Sequence, residues 1–267
     1  MDPIIGWFIS IASLSSLAWA GGYYLGKRSA VSARATLVGG LACLGTWVWL
    51  TFHPAVEVRL IPLPILTRIE GVGSVPFFML LLGLAWSRAQ LARQKRVITW
   101  GVMFGAVFFV NGGMWMLQST PEQGFAGTVD GQPVMQSQDY SCVAAACAQA
   151  LDLLDVPTSE QQMARLTQTR PGTGSTTLRA MQGLKQRLEP SPFDVELLQI
   201  QPGDLRHLPL PVVTPLRYEK TRRHMVTITD VSDEVIQVMD PVDGAVLISW
   251  DTLDRVFTGE VLVFVRR

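Results

Sequence analysis

The 267-residue chain has few charges, few cysteines and few histidines, and each shortage closes off a class of protein. Charged residues are 16% of it against 48% hydrophobic, too little charge for a disordered chain, and nothing in the balance suggests nucleic acid. Three cysteines cannot build a disulfide scaffold, and an odd number leaves at least one thiol unpaired. With three histidines in all, and no second histidine or cysteine at ligand spacing near His224, zinc is not expected and no metal or organic cofactor is required. There is no Walker A pattern: Gly172-Thr173-Gly174-Ser175 lacks the Gly-Lys-Ser ending that holds phosphate, so ATP is not an expected partner.

What the chain does have is long apolar runs, all in its first half: Ile4 to Leu25, Ala35 to Phe52, Val72 to Trp86 and Val97 to Leu117. Each is uncharged, and a helix needs about 20 residues, or about 17 at least, to cross a hydrocarbon core. The first, second and fourth meet that length. The third is short, with Pro76 in its first turn, and reaches spanning length only if extended to Gly71 or Arg88. A helical bundle in water is the plainer alternative, but its helices would carry a polar stripe at helical spacing and these do not. The expected first region is therefore an α-helical membrane region of about four transmembrane helices, residues 1–117, followed by a linker, 118–133, and a soluble domain, 134–267. The charge follows the same division, with nine basic against three acidic residues up to Leu117 and 13 against 19 after it.

Ala18-Trp19-Ala20 has the form of a signal-peptidase site, but a signal peptide carries its positive charge before the apolar run. Here Asp2 precedes the run and Lys27, Arg28 and Arg34 follow it, so the segment reads as an anchor. Arg88, Arg93, Lys95 and Arg96 follow the third run. Basic connections stay on the cytoplasmic side, so four spans place both termini and the soluble domain on the extracytoplasmic side of a bacterial inner or plasma membrane. One span more or fewer would invert this. Between the second and third runs, Pro54, Pro62 and Pro64 argue against a long helix, and an interfacial loop is expected over His53 to Glu70.

In the soluble half, Val143 to Leu151 is a strong helix former, and Asp139 or Ser141 can cap it. Cys142 then falls in the first turn, where unpaired N–H groups and the helix dipole favour a thiolate. The plainer reading is a small buried residue, which Cys147 fits: it lies about 140° round the helix from Cys142. Of the histidines, His53 lies in the membrane half and His207 in a Pro-flanked loop. His224 opens an alternating strand running to Val231, with His224, Val226 and Ile228 on one face. A second strand, Glu234 to Met239, ends at Asp240-Pro241. If the hairpin loop is odd and centred on Ser232, His224 and Asp240 face each other; a two-residue loop would put them on opposite faces. A surface ion pair is the ordinary alternative. Gln136, with the Cys142 N–H, has the chemistry of an oxyanion donor, and Gln138 competes for that role.

This order of parts resembles the bacteriocin-processing, or double-glycine leader, peptidase domain, a papain-like cysteine peptidase. The resemblance covers roughly Val134 to Arg267. It extends to Gly172-Thr173-Gly174-Ser175-Thr176-Thr177-Leu178 with Ala180 and Gly183, to the Leu208-Pro209-Leu210-Pro211-Val212-Val213 strand, and to Thr258-Gly259 before the last strand. It implies an α+β fold with an antiparallel sheet, Cys142 as nucleophile, His224 as general base, Asp240 as its orienter and Gln136 as oxyanion donor. The chain departs from the family in Val143, where glycine often follows the nucleophile, and in having no ATPase domain. The reading that follows is a membrane-anchored peptidase acting on a peptide or protein substrate, exported or membrane-associated. The alternative is a silent peptide-binding module anchored in the bilayer. A related acyl transferase or amidase is a third reading.

Overall fold

The structure is a computed structural model that describes residues 3–117, 125, 133–217 and 223–267. The linker expected at 118–133 lies outside the described residues apart from 125 and 133. Contacts divide the chain into two compact units, Met1–Glu57 with Arg68–Gln118, and Val58–Thr67 with Ser119–Arg267.

The first half is helical throughout: α1 (Pro3–Arg28), α2 (Ala30–Thr51), α3 (Pro54–Leu60), α4 (Leu63–Ile69), α5 (Val75–Arg88) and α6 (Ala92–Leu117). Among the described residues one helix, α2, is long and apolar enough to cross a membrane by length and composition. At 14 residues α5 spans about 21 Å, short of a hydrocarbon core of about 30 Å. It begins as expected, with proline in its first turn. The segment 53–70 is not the loop expected from its prolines but two seven-residue helices. Pro54 opens α3 and Pro64 is the second residue of α4, positions where a missing N–H breaks no helical bond.

Small residues let α1 and α5 approach closely. A side chain at Gly22 would run into the Leu80 carbonyl, and one at Gly83 into the Trp19 carbonyl. Ile11, Val72, Val75 and Phe109 form the buried centre of this unit. Its outer faces stay apolar, with Leu17, Val31, Val38, Trp100 and Phe104 all more than 60% exposed.

The second half is α+β. Helices α7 (Cys142–Asp152), α8 (Glu160–Leu166) and α9 (Thr177–Leu188) precede a sheet of β1 (Phe193–Gln199), β2 (Val212–Arg217), β3 (Arg223–Val231), β4 (Val235–Asp240), β5 (Gly244–Ser249) and β6 (Glu260–Arg266). A short 3₁₀ helix, Pro202–His207, leads into β2, and α10 (Trp250–Val256) joins β5 to β6. The strand order is β1-β6-β2-β3-β4-β5 and every pairing is antiparallel. The strand expected from Leu208 starts only at Val212, since Pro209 and Pro211 have no N–H to give a ladder.

Both faces of the sheet are covered. Val212, Val226, Ile228, Ile236, Val238 and Val263 pack with Leu205 of the 3₁₀ helix and Leu253 of α10. Alternation turns Val213, Met225 and Thr227, all buried, to the opposite face, where α7 packs on β3. This explains why residues 143–151 of α7 are buried all round, where a surface helix would show a polar stripe.

Candidate active site

Helix α7 begins at Cys142, so the thiol sits at a helix N-terminus. The helix is locked to the sheet one turn further on, where the buried Thr227 hydroxyl donates to the Ala146 carbonyl at 2.8 Å. Ala146 is four residues after Cys142 and Thr227 three after His224, so this bond sets the distance between the two candidate groups. The start of β3 is held separately: Arg223 donates to Glu260 Oε1 of β6 at 2.6 Å, and Glu260 Oε2 accepts from Thr177 of α9 at 2.9 Å.

The β3–β4 pairing runs to Thr227↔Met239. Beyond it the Cys142 thiol is within the influence of the His224 ring and of the backbone N–H groups of Met225 and Val143. The ring's Nε2 lies 2.8 Å from Asp240 Oδ1, with both side chains 13% exposed. Nδ1 is therefore the ring nitrogen that faces Cys142. Asp240 Oδ1 also accepts from the Val242 N–H at 2.7 Å, which holds the carboxylate in the turn after β4. The structure thus brings Cys142, His224 and Asp240 into one cluster, with His224 bonded to Asp240 and interacting with Cys142.

Burial opposes charge at both ends of the Cys142–His224 pair, and the hydrogen bonds outweigh it. Burial pushes the Cys142 thiol up, while the His224 ring, the Met225 N–H, the imidazolium charge and the Val143 N–H pull it below its ordinary value. Burial pulls His224 down, while its bonds to Cys142 and Asp240 and their charges raise it to about 9. The two groups titrate as a pair.

Gln136 is anchored beside Asp240, its backbone N–H donating to the Pro241 carbonyl at 2.8 Å, and its side-chain Oε1 is buried without a hydrogen-bond partner. Gln138 lies in the turn before Cys142, its N–H donating to Ser141 Oγ at 3.1 Å. Ser141 holds the cap position of α7 but makes no side-chain capping bond, contrary to the sequence expectation, because its hydroxyl lies 2.6 Å from the buried carboxylate of Glu160. Asp139 is exposed in the preceding turn. His207 is exposed at the end of the 3₁₀ helix, and His53 bonds the Trp49 carbonyl, so neither belongs to this cluster. Cys147 is fully buried in α7, where burial pushes its thiol up. Thr227 and Glu160 are the residues that sequence reasoning did not find. Thr227 reads as one more β-branched strand residue, and Glu160 as an ordinary acidic residue of a helix start.

Two curated relatives, both uncharacterised, match half of the chain. One, from Methanothermobacter marburgensis, is 34% identical over 133 residues, and one from Methanothermobacter thermautotrophicus is 31% identical over 133 residues; each match covers 50% of this chain and 87% of the relative. Among solved structures, a double glycine motif protease from an AMS/PCAT transporter, in complex with the leader peptide, is 20% identical. The match covers 53% of this chain and 98% of that one, at a TM-score of 0.43. The peptidase domain of Streptococcus ComA is 16% identical, over 51% and 98%, at a TM-score of 0.45. The model of the Peptidase C39 family matches residues 131–267, the segment that carries Cys142, His224 and Asp240, and the chain belongs to that family.

Proposed function

We propose that this protein is a membrane-anchored cysteine peptidase in which Cys142 is the nucleophile, His224 the general base and acid, Asp240 the orienter of His224 and Gln136 a donor to the oxyanion. The observation that carries the reading is the cluster in which His224, bonded to Asp240 at 2.8 Å, interacts with Cys142 at the start of α7. The ionised sulfur attacks a peptide carbonyl, and the carbonyl oxygen takes up the electron pair and is held by the Cys142 N–H and the Gln136 amide. Collapse of this adduct expels the amine, which takes its proton from His224. Water, giving its proton to His224, then attacks the thioester carbonyl; the acid leaves and the thiolate and protonated His224 are restored. The substrate is a peptide, exported or membrane-associated.

The anchoring part of the proposal rests on the large apolar side chains exposed along α1, α2 and α6, among them Leu17, Val38, Trp100 and Phe104. About four spans are proposed, in α1, α2, α5 and α6, with residues 1–117 as the membrane region, 118–133 as linker and 134–267 as peptidase domain. Arg88 at the end of α5 donates to the Ser29 carbonyl between α1 and α2 at 2.7 Å, so the two basic connections lie at one end of the unit. This supports a cytoplasmic location for that end and an extracytoplasmic one for the peptidase domain.

The test is the pH dependence of iodoacetamide labelling at Cys142 in the full chain in detergent, with a peptide containing a Gly-Gly bond as cleavage probe. Labelling should persist well below the ordinary thiol pKa of about 8.5 and lose that behaviour in His224→Ala. Cleavage should vanish in Cys142→Ala. Labelling that follows an ordinary thiol in the folded protein would favour a silent peptide-binding module instead.

A further inference from the structure

Among the described residues, the α-helix starts in the second half of the chain follow one rule with one exception. Ser159 of α8, Thr176 of α9 and Ser249 of α10 have extended backbones, with ψ of 155°, 165° and 158°, and each side chain accepts an N–H three residues on. Ser141 before α7 has the right residue type but sits at φ −103°, ψ 12° and caps nothing. Its hydroxyl is engaged elsewhere, 2.6 Å from Oε1 of Glu160.

Glu160 is 1% exposed and both its oxygens are occupied by the turn before the nucleophile. Oε1 also accepts the Ser137 N–H at 3.0 Å, and Oε2 accepts the Ser137 hydroxyl at 2.7 Å. The turn is closed internally by the Ser141 N–H on the Gln138 carbonyl and the Gln138 N–H on Ser141 Oγ, both 3.1 Å. All the donors to the carboxylate are neutral. A buried carboxylate is costly unless so bonded, and bonds to an ionised acceptor are about twice as strong as neutral ones. Glu160 is not needed to start its own helix, since Ser159 and Gln162 already form a complete capping box there.

A serine at a helix start normally bonds the N–H of the second or third helical residue, here Val143 or Ala144. Among the described residues no side chain caps α7, and the Val143 N–H at its start is among the groups that lower the Cys142 thiol. A capping Ser141 would compete with the nucleophile for it. We propose that Glu160 is a positioning residue for the nucleophile: by holding the Ser141 hydroxyl and both ends of the Ser137–Ser141 turn, it keeps Ser141 from capping α7 and leaves the first N–H groups of that helix to the Cys142 sulfur. This rests on the reading of Cys142 as the nucleophile. Glu160 itself touches neither the sulfur nor the substrate.

The test is a labelling cycle on the full chain in detergent, with iodoacetamide as probe and pH as variable. Glu160→Ala should move the acid limb of Cys142 labelling upward by about one pH unit or more, the size expected when the charged form loses one hydrogen bond. Glu160→Gln should restore most of the wild-type profile, because its amide oxygen can accept from Ser137 N–H and Ser141 while its NH₂ donates to the Ser137 hydroxyl. The deciding variant is Glu160→Ala/Ser141→Ala, which has no hydroxyl to cap α7 and should return toward wild type. A merely structural role would make the double variant worse than Glu160→Ala, and that result, or an unmoved limb in Glu160→Ala, overturns the proposal. A wild-type profile that already follows an ordinary thiol would instead overturn the peptidase reading beneath it.

Discussion

His224 Nε2 meets Asp240 Oδ1 at 2.8 Å only because an extra residue, Thr229, is inserted into the strand between them and the hairpin turn. The turn is the two-residue type: Ser232 donates its N–H to the Val235 carbonyl at 3.0 Å, and Val231 pairs with Ile236 and Asp230 with Gln237. Carried along the hairpin, that register would set Asp240 opposite Thr227 and turn it away from His224. The shift between Asp230 and Ile228 changes the register to Ile228↔Val238 and Thr227↔Met239. Asp240 then falls opposite Val226, on the His224 face and one diagonal step away, within reach of both side chains.

Asp240→Asn tests what that pairing does. The asparagine can still accept from the Val242 N–H, but the charge that helps raise His224 is gone. The His224 pKa should fall from about 9, the acid limb of Cys142 labelling should rise, and peptide cleavage should drop by about 10²-fold or more, the lower range of what general acid–base catalysis contributes. A labelling profile identical to wild type would remove Asp240 from the mechanism.

Cleavage should be bell-shaped in pH. Cys142 is lowered in the folded protein, so the thiolate is present above its folded value and lost as pH falls through it. His224 is raised, so the imidazolium that protonates the leaving amine is kept up to about pH 9 and lost above it. A kcat/KM profile measured from pH 5 to 11 should therefore have an acid limb below the free-thiol range and an alkaline limb near 9. An alkaline limb near 6.5, the value of an unperturbed imidazole, would rule out the pair.

The catalytic candidates were readable in the sequence as types and order, and their geometry was not. A cysteine before an alanine-rich helix and a histidine opening an alternating strand both stand where chain pattern alone places them. The contact between His224 and Asp240 was anticipated through an odd hairpin loop, and the structure reaches it through an even loop corrected by a bulge, which no local pattern around Thr229 announces. Likewise, Pro54 and Pro64 carry the same signal whether they break a helix or begin one; only the distance to the next residues with free carbonyls decides. Ser141 is a sound cap by residue type, and its failure to cap depends on Glu160, 19 residues away in sequence.

Cys147 should be silent. Burial, and after it the neighbouring Cys142, push its thiol up, so it should resist iodoacetamide in the native protein at any pH where the fold persists and react only in denaturant. Cys147→Ala should leave cleavage unchanged and cost about 1 kcal/mol for the small void it leaves. Mass-spectrometric mapping of the label to each cysteine before and after denaturation checks this, since Cys43 is exposed and labels as well, and label found on Cys147 of the native protein would contradict the buried placement.

Gly183→Ala sets two effects of known sign against each other. In the middle of α9, alanine should favour the helix by about 0.8–1 kcal/mol. Its Cβ, however, would lie 2.9 Å from the Leu166 carbonyl carbon and 3.0 Å from the Thr167 nitrogen, which are backbone atoms at the end of α8. That backbone has little freedom to yield, because the Thr167 hydroxyl bonds the Met163 carbonyl and the Thr167 carbonyl accepts from Ser175 at 2.6 Å. Overpacking of this kind costs about 1–3 kcal/mol, so the expected net change is destabilising by about 1 kcal/mol. The displacement would be felt at the other end of α8, where Glu160 holds the turn before Cys142. Thermal unfolding should therefore shift down and Cys142 labelling at acid pH should slow in the same variant. A raised Tm with unchanged labelling would show that α8 moves freely of the turn it carries.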